Sequence, residues 1–529
     1  MIRLRQIKIA LKDNKEEIIL KKCASKLHIK SNSIKKLNIN KLSLDCRKKP
    51  NIYYIYEVDI EVENEDVILN NKENSDIFKT PVEKYNFEIS GTEKIKNRPI
   101  IVGSGPAGLF CSYILLENGY KPIIIERGEQ IEKRIETVEK FWNKGILNKN
   151  SNVQFGEGGA GTFSDGKLNT LVKDRYYRQK KVFQTFVESG APKEILYLNK
   201  PHIGTDLLRN VIINLRKKII SMGGEFRYNS TLTNIIIENK KIKKIEINNN
   251  EYINTDILVL AIGHSARDTF EMLYKNNLTM LPKPFAIGIR IQHPQTMINK
   301  SQYGIENSEF LPPASYKLTY TTKEKRGVYT FCMCPGGFVV NSSSEAEKLA
   351  INGMSNHNRD SLNANSAVIV TVTPNDFGTN PLDGLKFQRD LESKAFKLGN
   401  GKIPIQLYKD FKNNVITNKL GEVNSIMKGD YTFTNIRKIL PDYVSKSLIE
   451  AIEHFNTKIP SFARDDAILA AIESRTSSPI KIERNEYGIS SIEGIYPCGE
   501  GAGYAGGITS AAIDGIKTAE NIAKKYTNT

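Results

Sequence analysis

The stretch RPIIVGSGPAGLFCSYILLENGYKPIIIERG, residues 98–128, constrains the fold of this chain more than any other segment. The apolar run 99–102 predicts a short buried strand, and a helix with an apolar stripe is predicted from Pro106. A second apolar run, 122–125, predicts the next strand, with Glu126 at its tip. This β-turn-α-β order with a glycine-rich turn is typical of a unit that binds an adenine dinucleotide.

Each glycine of the turn has its own physical function in such a unit. Gly103 permits the tight turn, Gly105 lets the backbone approach a pyrophosphate, and Gly108 lets the helix pack against the strand. The free N–H groups at the helix N-terminus attract the anion. Glu126 is expected to accept hydrogen bonds from the hydroxyls of the adenosine ribose, and its charge disfavours a 2′-phosphate.

The length of the chain and its cysteines bound the class of protein. With 529 residues, 40% of them hydrophobic, the chain can bury more than one core, so two or three domains are expected. No apolar run predicts a signal peptide or a membrane-spanning helix. Of the six cysteines only Cys332 and Cys334 are close in sequence, and without a CxxC pair they predict neither a disulfide framework nor a metal site, so a soluble protein of the reducing cytoplasm is expected.

The net charge of +17 raises the question of an anionic partner. It arises from 76 Lys and Arg against 59 Asp and Glu, and the lysines are spread along the chain without a block of Lys and Arg alone. A nucleic-acid-binding surface requires clustered basic residues. A nucleic-acid partner is therefore disfavoured but stays open, and no membrane partner is expected.

Residues 1–95 predict a small unit and a linker. The patterns IKIAL (7–11), EEIILKKCASKL (16–27), LNINKLSL (37–44) and IYYIYEVDIEVE (52–63) predict the order β-α-β-β, which indicates a half-ferredoxin-like α+β domain. Many RNA-binding modules have this shape, but the last strand presents an acidic outer face that would repel phosphate. We therefore expect a structural or docking appendage, joined onward by the polar residues 70–97.

Further glycine-rich segments follow the fingerprint. A second glycine-rich loop occupies 152–170, a helix-strand pattern occupies 205–237, and a buried strand with a glycine turn occupies 256–268. Residues 494–523 then read as a strand, a glycine-rich turn and a helix. Because the complete dinucleotide fingerprint occurs once, these segments are interpreted as parts of one binding site.

Four motifs carry a resemblance to a known family. They are GEGGAGTFSDGKLNT (156–170), FCMCPGGFVV (331–340), ESRTSSPIKIER (473–484) and YPCGEGAGYAGGITSAAIDG (496–515). Over nearly its whole length the sequence resembles the uncharacterised bacterial FAD-dependent dehydrogenase, or NAD(P)/FAD-dependent oxidoreductase, family. That family lies within the glutathione-reductase-like superfamily of two-dinucleotide-binding flavoproteins. The resemblance implies non-covalent FAD in an extended conformation.

The resemblance also implies the domain organisation. The expected fold is α/β, with a Rossmann-like FAD-binding domain of the GR2 type, an inserted β-rich substrate domain and the small N-terminal domain. The expected boundaries are 1–95 for the appendage and linker, 96–284 for the first part of the FAD-binding domain, 285–460 for the substrate domain and 461–529 for the C-terminal return. Strand patterns such as FAIGIRI, GVYTFCMC and SAVIVTVTP lie in the third segment.

The predicted cofactor contacts come from all parts of this divided domain. Relatives offer backbone groups to adenine at the strand of Leu232, and their C-terminal turn carries Gly-Asp where this chain has Gly499 and Glu500. The helix that begins at Ile508 is expected to stabilise negative charge on the reduced flavin through its dipole. The full predicted set is Gly103, Gly105, Pro106, Ala107, Gly108, Glu126, Arg127, Gly158, Gly159, Ala160, Gly161, Thr162, Leu232, Gly263, Gly499, Glu500, Gly506, Gly507 and Ile508.

Three residues are candidates for catalysis. Lys167 follows the second glycine-rich loop, although an ion pair with Asp165 on the surface is the alternative. Arg475 is a candidate to bind the flavin edge or a substrate carboxylate, and a surface salt bridge is its alternative. His293 is a candidate proton donor, although a histidine near a strand end is more often structural, as is expected of the turn residue His264.

The pair Cys332 and Cys334 allows two interpretations. Alternate positions of a strand place both sulfurs on one face, which suggests a redox dithiol, but a closed CxC loop is strained. No basic residue close in sequence lowers a thiol pKa, so two packed cysteines are favoured. The following Pro335, Gly336 and Gly337 suggest a close approach of the backbone to the flavin or its substrate.

The sequence thus predicts an FAD-dependent oxidoreductase, a dehydrogenase that transfers two electrons or a hydride between the flavin and an unknown small-molecule substrate. NAD(P)H is a possible transient electron donor, since no second fingerprint indicates an internal pyridine-nucleotide domain. Two alternatives stay open. One is a tRNA-modifying flavoprotein, which shares the FAD fold and suits the positive charge, and the other is a non-catalytic flavin-bound scaffold.

Overall fold

The computed structural model of the protein describes residues 1–70 and 74–528. Its N-terminal elements follow the β-α-β-β order that the sequence predicts, and a short helix and a further short strand come after them. They are β1 (Ile2–Ala10), α1 (Glu16–Leu27), β2 (Ile34–Asp45), β3 (Tyr53–Val62), α2 (Glu65–Asn70) and β4 (Ile77–Lys79). The strands form an antiparallel sheet in the order β2-β3-β1-β4. Alternate residues of β3, including Tyr56, Val58 and Ile60, are buried against α1.

The polar segment predicted as a linker is packed onto the protein where the structure describes it. Its strand β4 completes the N-terminal sheet, and its residues Tyr85 and Phe87 pack against an apolar core further along the chain. The N–H of Gly91 donates to the carbonyl of Ala523 at 2.9 Å. Residues 71–73 of the predicted linker lie outside the described residues.

The N-terminal unit contacts two other parts of the molecule through hydrogen bonds to their backbone carbonyls. The N–H of Leu42 donates to the carbonyl of Tyr197 at 2.7 Å, and the Tyr54 hydroxyl donates to the carbonyl of Phe310. The Lys49 ammonium donates to the carbonyl of Ser301 at 2.5 Å. The appendage is therefore docked on the chain rather than tethered by a free linker.

Residues 93–282 contain the fingerprint and short strands that alternate with helices. The elements are β5 (Glu93–Lys94), β6 (Ile100–Val102), α3 (Pro106–Glu117), β7 (Ile123–Ile125), α4 (Ile131–Lys144), α5 (Arg178–Glu188), α6 (Thr205–Ser221), β8 (Glu225–Arg227), β9 (Leu232–Glu238), β10 (Lys241–Ile247), β11 (Glu251–Asn254), β12 (Leu258–Leu260), α7 (Arg267–Lys275) and β13 (Met280–Pro282). β9, β10 and β11 form a separate antiparallel sheet.

Residues 285–473 build a large sheet covered by helices. The elements are β14 (Phe285–Pro294), α8 (Gln295–Tyr303), β15 (Thr319–Thr321), β16 (Gly327–Cys334), β17 (Phe338–Asn341), β18 (Ile351–Met354), β19 (Asn363–Val372), α9 (Pro374–Phe377), α10 (Asp383–Gly399), β20 (Ile403–Leu407), α11 (Tyr408–Asn413), β21 (Met427–Lys428), β22 (Tyr431–Phe433), α12 (Asp442–Asn456) and β23 (Ile468–Glu473). The seven-stranded sheet has the order β15-β16-β19-β14-β23-β20-β22. Strand β23 lies after residue 460, where the sequence places the return to the FAD-binding domain, yet it pairs with β14 and β20.

The last residues return to the first part of the chain. The elements are β24 (Ile480–Ile482), β25 (Ile495–Pro497), α13 (Ile508–Lys525) and β26 (Tyr526–Thr527). β25 pairs with β12 in a five-stranded parallel sheet of order β25-β12-β6-β7-β8. Helices α3 and α13 pack closely, because Gly515 has no side chain to hold them apart. A Cβ at this position would lie 2.1 Å from the carbonyl oxygen of Ala107. The carboxyl ends of the parallel strands therefore meet beside the N-termini of both helices.

Candidate functional site

A cavity of about 350 Å³ opens at the carboxyl ends of the parallel strands. It collects segments that are hundreds of residues apart in the sequence, including the fingerprint turn, the second glycine-rich loop and the turn before α13. Most residues of the predicted cofactor set line it, namely Gly103, Gly105, Pro106, Ala107, Glu126, Arg127, Gly159, Ala160, Gly161, Leu232, Gly263, Glu500, Gly506, Gly507 and Ile508. The structure thus brings together turns that the sequence assigns to one site.

The remaining residues of that set lie behind the cavity wall, and they are Gly108, Gly158, Thr162 and Gly499. A Cβ on Gly108 would lie 1.9 Å from the carbonyl oxygen of Gly103, so this glycine packs the helix on its own turn, as the fingerprint requires. A Cβ on Gly158 would lie 2.2 Å from Oγ1 of Thr162. These residues shape the wall without facing the cavity.

Two helices present their N-termini to the cavity. α3 begins at Pro106 and α13 at Ile508, and neither helix has a side chain that caps its first turn by a hydrogen bond. Uncapped N–H groups and the positive end of the helix dipole attract an anion. A Cβ on Gly506 would meet no atom within 4 Å, so the space beside the start of α13 is open to a bound group.

The carboxylate of Glu126 is engaged by the chain itself. Its Oε2 accepts hydrogen bonds from the backbone N–H of Ser104 at 2.9 Å and from the Ser104 hydroxyl at 2.7 Å. Its Oε1 accepts from the N–H groups of Gly128 at 2.9 Å and Gly156 at 3.1 Å. Glu126 lines the cavity, but its first function is to join the fingerprint turn to the second glycine-rich loop.

Arg134, which the sequence analysis did not single out, holds that second loop in place. The side chain is fully buried and donates five hydrogen bonds, all to backbone carbonyls between Asn152 and Gly159. Burial lowers the pKa of Arg134 to about 10. A signal was present, because Arg134 lies at helical spacing between Ile131 and Val138 on the apolar face of α4.

Lys167 and Asp165 do pair, but inside the molecule rather than on its surface. Lys167 Nζ lies 3.3 Å from Oδ2 of Asp165, whose carboxylate also receives two hydrogen bonds from Arg359 at 3.0 and 2.5 Å. The ammonium donates in addition to the carbonyl of Met333. Burial lowers the pKa of Lys167, but Asp165, Cys334 and Cys332 together outweigh burial and the net pKa is raised. Lys167 therefore carries a fixed positive charge at the cavity wall.

Arg475 lines the cavity, but its guanidinium is already paired. Nε and Nη2 donate to the two oxygens of Glu392 at 2.9 and 2.8 Å, and Nη1 donates to the Ser344 hydroxyl at 2.5 Å. Arg267 binds the opposite side of the same carboxylate at 2.8 and 2.9 Å. The pair is buried, so the predicted surface salt bridge does not form. Arg475 joins β23 to α10 and offers little to a free substrate carboxylate.

His293 is not part of the cavity, which corrects its interpretation as a proton donor. It lies in β14 with no exposed surface, and its Nε2 is 2.7 Å from the carbonyl oxygen of Phe462. Burial lowers the pKa of His293 to about 4. His264 does line the cavity, where its Nδ1 lies 3.6 Å from Oε1 of Glu500. Among the described residues its buried Nε2 has no hydrogen-bond partner, so it is available to a bound molecule.

The close backbone approach expected at Gly336 involves the chain rather than a ligand. A Cβ there would lie 1.7 Å from the carbonyl oxygen of Arg359, and the N–H of Gly336 donates to the Gln295 side chain at 2.8 Å. The preceding strand lines the cavity instead, through Phe331 and Cys332.

Two family models and one relative match this chain. The model described as FAD-dependent protein, C-terminal domain-like, matches residues 284–476, and a model described as a domain of unknown function matches residues 1–61. A protein of Clostridium beijerinckii (strain ATCC 51743 / NCIMB 8052), described as uncharacterized, is 49% identical over 532 residues, which cover 99% of each chain. The chain belongs to the same family as this Clostridium protein, and its residues 284–476 match the FAD-dependent C-terminal domain-like model.

Solved structures similar to this protein are more distant. They include a triple mutant of the flavin-dependent brominase Bmp2, glycine oxidase from Bacillus cereus ATCC 14579 and L-proline dehydrogenase from P. horikoshii. Their identities are 12%, 10% and 13%, with TM-scores of 0.37, 0.34 and 0.35. The matches cover 81%, 80% and 81% of this chain and 80%, 94% and 93% of those chains. Such weak similarity does not extend to particular residues.

The residues of the cavity fit FAD. The uncapped N-termini of α3 and α13 suit anionic groups, and the glycines of three turns admit an extended molecule close to the backbone. No group of three or more His, Cys, Asp or Glu is placed to hold a metal ion in the ranges 1–70 and 74–528. Within the same ranges, no helix combines the length and apolarity needed to cross a bilayer.

Proposed function

We propose that the protein is an FAD-dependent oxidoreductase that moves two electrons between a small-molecule substrate and flavin bound in this cavity. The observation that carries the proposal is the continuity of the cavity. It runs from the fingerprint turn at Gly103 and Gly105 to the walls supplied by Cys332 and Glu473 of the seven-stranded sheet. A cofactor held at one end can thus meet a substrate that is held against the sheet at the other.

Each part of the wall has a function in this proposal. The N-terminus of α3 and the backbone of Gly105 would hold the phosphates, while Glu126 and Arg127 lie at the tip of β7, where the adenosine ribose is expected. The N-terminus of α13 would stabilise negative charge that develops when the flavin is reduced. Bound flavin supplies the two-electron chemistry, and the protein supplies position, charge and exclusion of water.

Lys167 is the residue that we propose to act closest to the reacting atoms. Its ammonium is fixed by Asp165 and by the carbonyl of Met333, so its charge has one position rather than many. A fixed cation at the cavity wall would orient an anionic substrate group or stabilise negative charge on the flavin. Arg475 is proposed as a positioning residue, because its hydrogen bonds to Glu392 and Ser344 fix the end of β23.

The electron donor and the setting of the protein belong to the same proposal. NAD(P)H is proposed as a transient donor that approaches the flavin from the open side of the cavity. The chain has one complete dinucleotide fingerprint, so no separate domain for a pyridine nucleotide is indicated. A cytoplasmic location is proposed because reduced thiols suit that compartment. Membership of the glutathione-reductase-like superfamily and the half-ferredoxin shape of the N-terminal domain stay predictions.

Anaerobic reduction tests the proposal. The purified holoprotein is titrated with NADH, NADPH and a panel of small metabolites while the visible flavin absorbance is recorded, and dithionite marks full reduction. Bleaching by at least one donor within seconds supports an oxidoreductase. A flavin that dithionite reduces but no donor of the panel reduces would instead indicate a flavin-bound scaffold.

A further inference from the structure

Two thiols of β16 take no part in the proposed cofactor contacts. Cys332 lines the cavity and is partly exposed, whereas Cys334 is buried. Both belong to β16, whose pairing with β19 shifts between Phe331 and Cys334, so that the strand bulges there. At this bulge Cys332 has the left-handed φ of 42°, and the Cys334 thiol donates to the carbonyl oxygen of Cys332 at 3.2 Å. The bulge thus holds the Cys334 sulfur against the backbone of Cys332.

Two cations from other elements hold the backbone around Cys332. Arg290 Nη1 donates to the carbonyl of Cys332 at 3.1 Å, and the Lys167 ammonium donates to the carbonyl of Met333. Each cation has a carboxylate partner, since Arg290 Nε lies 3.0 Å from Glu473 and Lys167 Nζ lies 3.3 Å from Asp165. The charged groups that face the thiol pair are therefore two cations and two carboxylates.

The two thiols have opposite tendencies to ionise. The interaction with the Cys334 thiol lowers the pKa of Cys332 most, and the charges of Lys167 and Arg290 lower it further against the effect of burial. The same interaction and burial raise the pKa of Cys334 well above its usual range. The accessible thiol therefore ionises more readily than the buried one.

We propose that Cys332 and Cys334 form a redox-active thiol pair that exchanges two electrons with the flavin bound in the cavity. The inference rests on the proposed function, because it needs the flavin as electron partner. In the oxidising direction an S–S bond forms between the Cys332 thiolate and the Cys334 thiol. The pair gives up two electrons and the Cys334 proton, and oxidised flavin accepts all three, so that charge and atoms balance. The reverse reaction breaks the S–S bond.

Counting reducing equivalents tests the pair in the holoprotein. The protein is oxidised with diamide, freed of reagent and titrated anaerobically with dithionite. Wild type is expected to take up two two-electron equivalents per bound flavin, one by the flavin and one by the thiol pair. Cys332→Ser is expected to take up only one. The variant should fold, because the partly exposed Cys332 tolerates a hydroxyl in place of its thiol. One equivalent in both proteins would overturn the proposal. Cys334→Ala, which removes the buried partner, is expected to match Cys332→Ser.

Alkylation gives a readout that depends on neither flavin nor activity. Apoprotein is treated with iodoacetamide at about pH 6, and each cysteine is followed by peptide mass spectrometry. Cys46 is the control in the same molecule, since it is also partly exposed but burial raises its pKa. Cys332 is expected to react at least about tenfold faster than Cys46, the ratio that corresponds to one pKa unit. Equal rates would overturn the proposal.

Two further variants separate charge from bulk. Lys167→Met is expected to slow alkylation of Cys332 and to leave that of Cys46 unchanged, whereas Lys167→Arg, which keeps the charge, is expected to slow it less. After diamide treatment of the wild-type apoprotein, both thiols of the pair are expected to be protected until a reductant is added. Thiols that stay open to alkylation after diamide would contradict the pair.

The outcomes also separate the pair from the proposed function. If small-molecule donors reduce the flavin but wild type and Cys332→Ser both take up one equivalent, the proposed oxidoreductase function stands and the thiol pair is overturned. A protein that binds no FAD overturns both.

Discussion

The N–H of Gly156 donates to the carboxylate of Glu126 at 3.1 Å, although thirty residues separate the two in the sequence. The same carboxylate accepts hydrogen bonds from the N–H groups of Ser104 and Gly128, both at 2.9 Å. A side chain that the sequence assigns to the ribose thus joins the fingerprint turn, the end of β7 and the second glycine-rich loop. The cavity wall is thus held in part by the protein's own hydrogen bonds.

Glu126→Ala is therefore expected to destabilise the protein even without FAD. The substitution leaves several buried N–H groups without an acceptor, and each such group costs roughly 1–3 kcal/mol. We expect the free energy of unfolding of the apoprotein, measured in urea, to fall by about 3 kcal/mol. Glu136→Ala removes an exposed carboxylate from α4 and is the control, with little expected change. An apoprotein variant as stable as wild type would show that Glu126 acts on the cofactor alone.

Arg134→Met is expected to loosen the second glycine-rich loop. The side chain fits the buried position in length, but it donates none of the five hydrogen bonds to the loop carbonyls. A loss of at least about 3 kcal/mol in the free energy of unfolding is expected. Native-state hydrogen exchange should show faster exchange in residues 152–163. Lys133→Met, the exposed neighbour on the same helix, is the control, and equal exchange in both variants would refute this function of Arg134.

Glu392 is expected to make the protein sensitive to acid. Burial raises the pKa of this carboxyl, but the charges of Arg267 and Arg475 outweigh burial and hold the pKa well below its usual range. The unfolded chain then binds the proton more readily than the folded one. The stabilisation is present above the ordinary pKa of a glutamate, about 4.3, and is lost as the pH falls below it.

Urea unfolding at a series of pH values measures that contribution. Wild type is expected to lose stability steeply between about pH 5 and pH 3. Glu392→Gln should be less stable than wild type at neutral pH, because two buried arginines lose their anion, but its stability should fall less steeply in acid. Parallel pH profiles for the two proteins would contradict the ionised carboxylate between Arg267 and Arg475.

The sequence predicted the local parts of this site well and its long-range contacts poorly. The β-turn-α-β unit, the second glycine-rich loop and the start of α13 at Ile508 each have a local signal in glycine positions and apolar periodicity. Glu392, the acidic partner of Arg475, lies 83 residues away, and no local pattern in either segment predicts the pair. The sequence analysis placed strand β23 in the C-terminal return after residue 460, whereas it pairs with β14 of the large sheet. The sequence of a strand does not show which strand it will pair with.

The thiol pair shows the same limit most clearly. The sequence analysis favoured packed cysteines because no basic residue is close in sequence to Cys332 or Cys334. Lys167 and Arg290 reach the same strand from distant segments, and no glycine or proline at Cys332 marks the bulge in the sequence. The prediction that His293 is a proton donor was wrong for another reason. A polar residue near a strand end can be buried in the sheet, as His293 is.

The most direct test of the account is a titration of the apoprotein with FAD, in which binding is measured by the quenching of flavin fluorescence. Gly105→Ala is the decisive variant, because its Cβ would meet only the Cα of Gly159 at 3.7 Å and the residue has an ordinary φ of −74°. The added methyl group therefore fits the protein and takes space from the cavity alone. Gly327→Ala on β16, outside the cavity, is the matched control.

Wild type and Gly327→Ala are expected to bind one FAD per chain with similar affinity. Gly105→Ala is expected to bind at least about tenfold more weakly, a loss of about 1.4 kcal/mol, while its thermal unfolding stays close to that of wild type. Equal affinity in all three proteins, or no binding of FAD to the wild-type apoprotein, would contradict the assignment of the cavity.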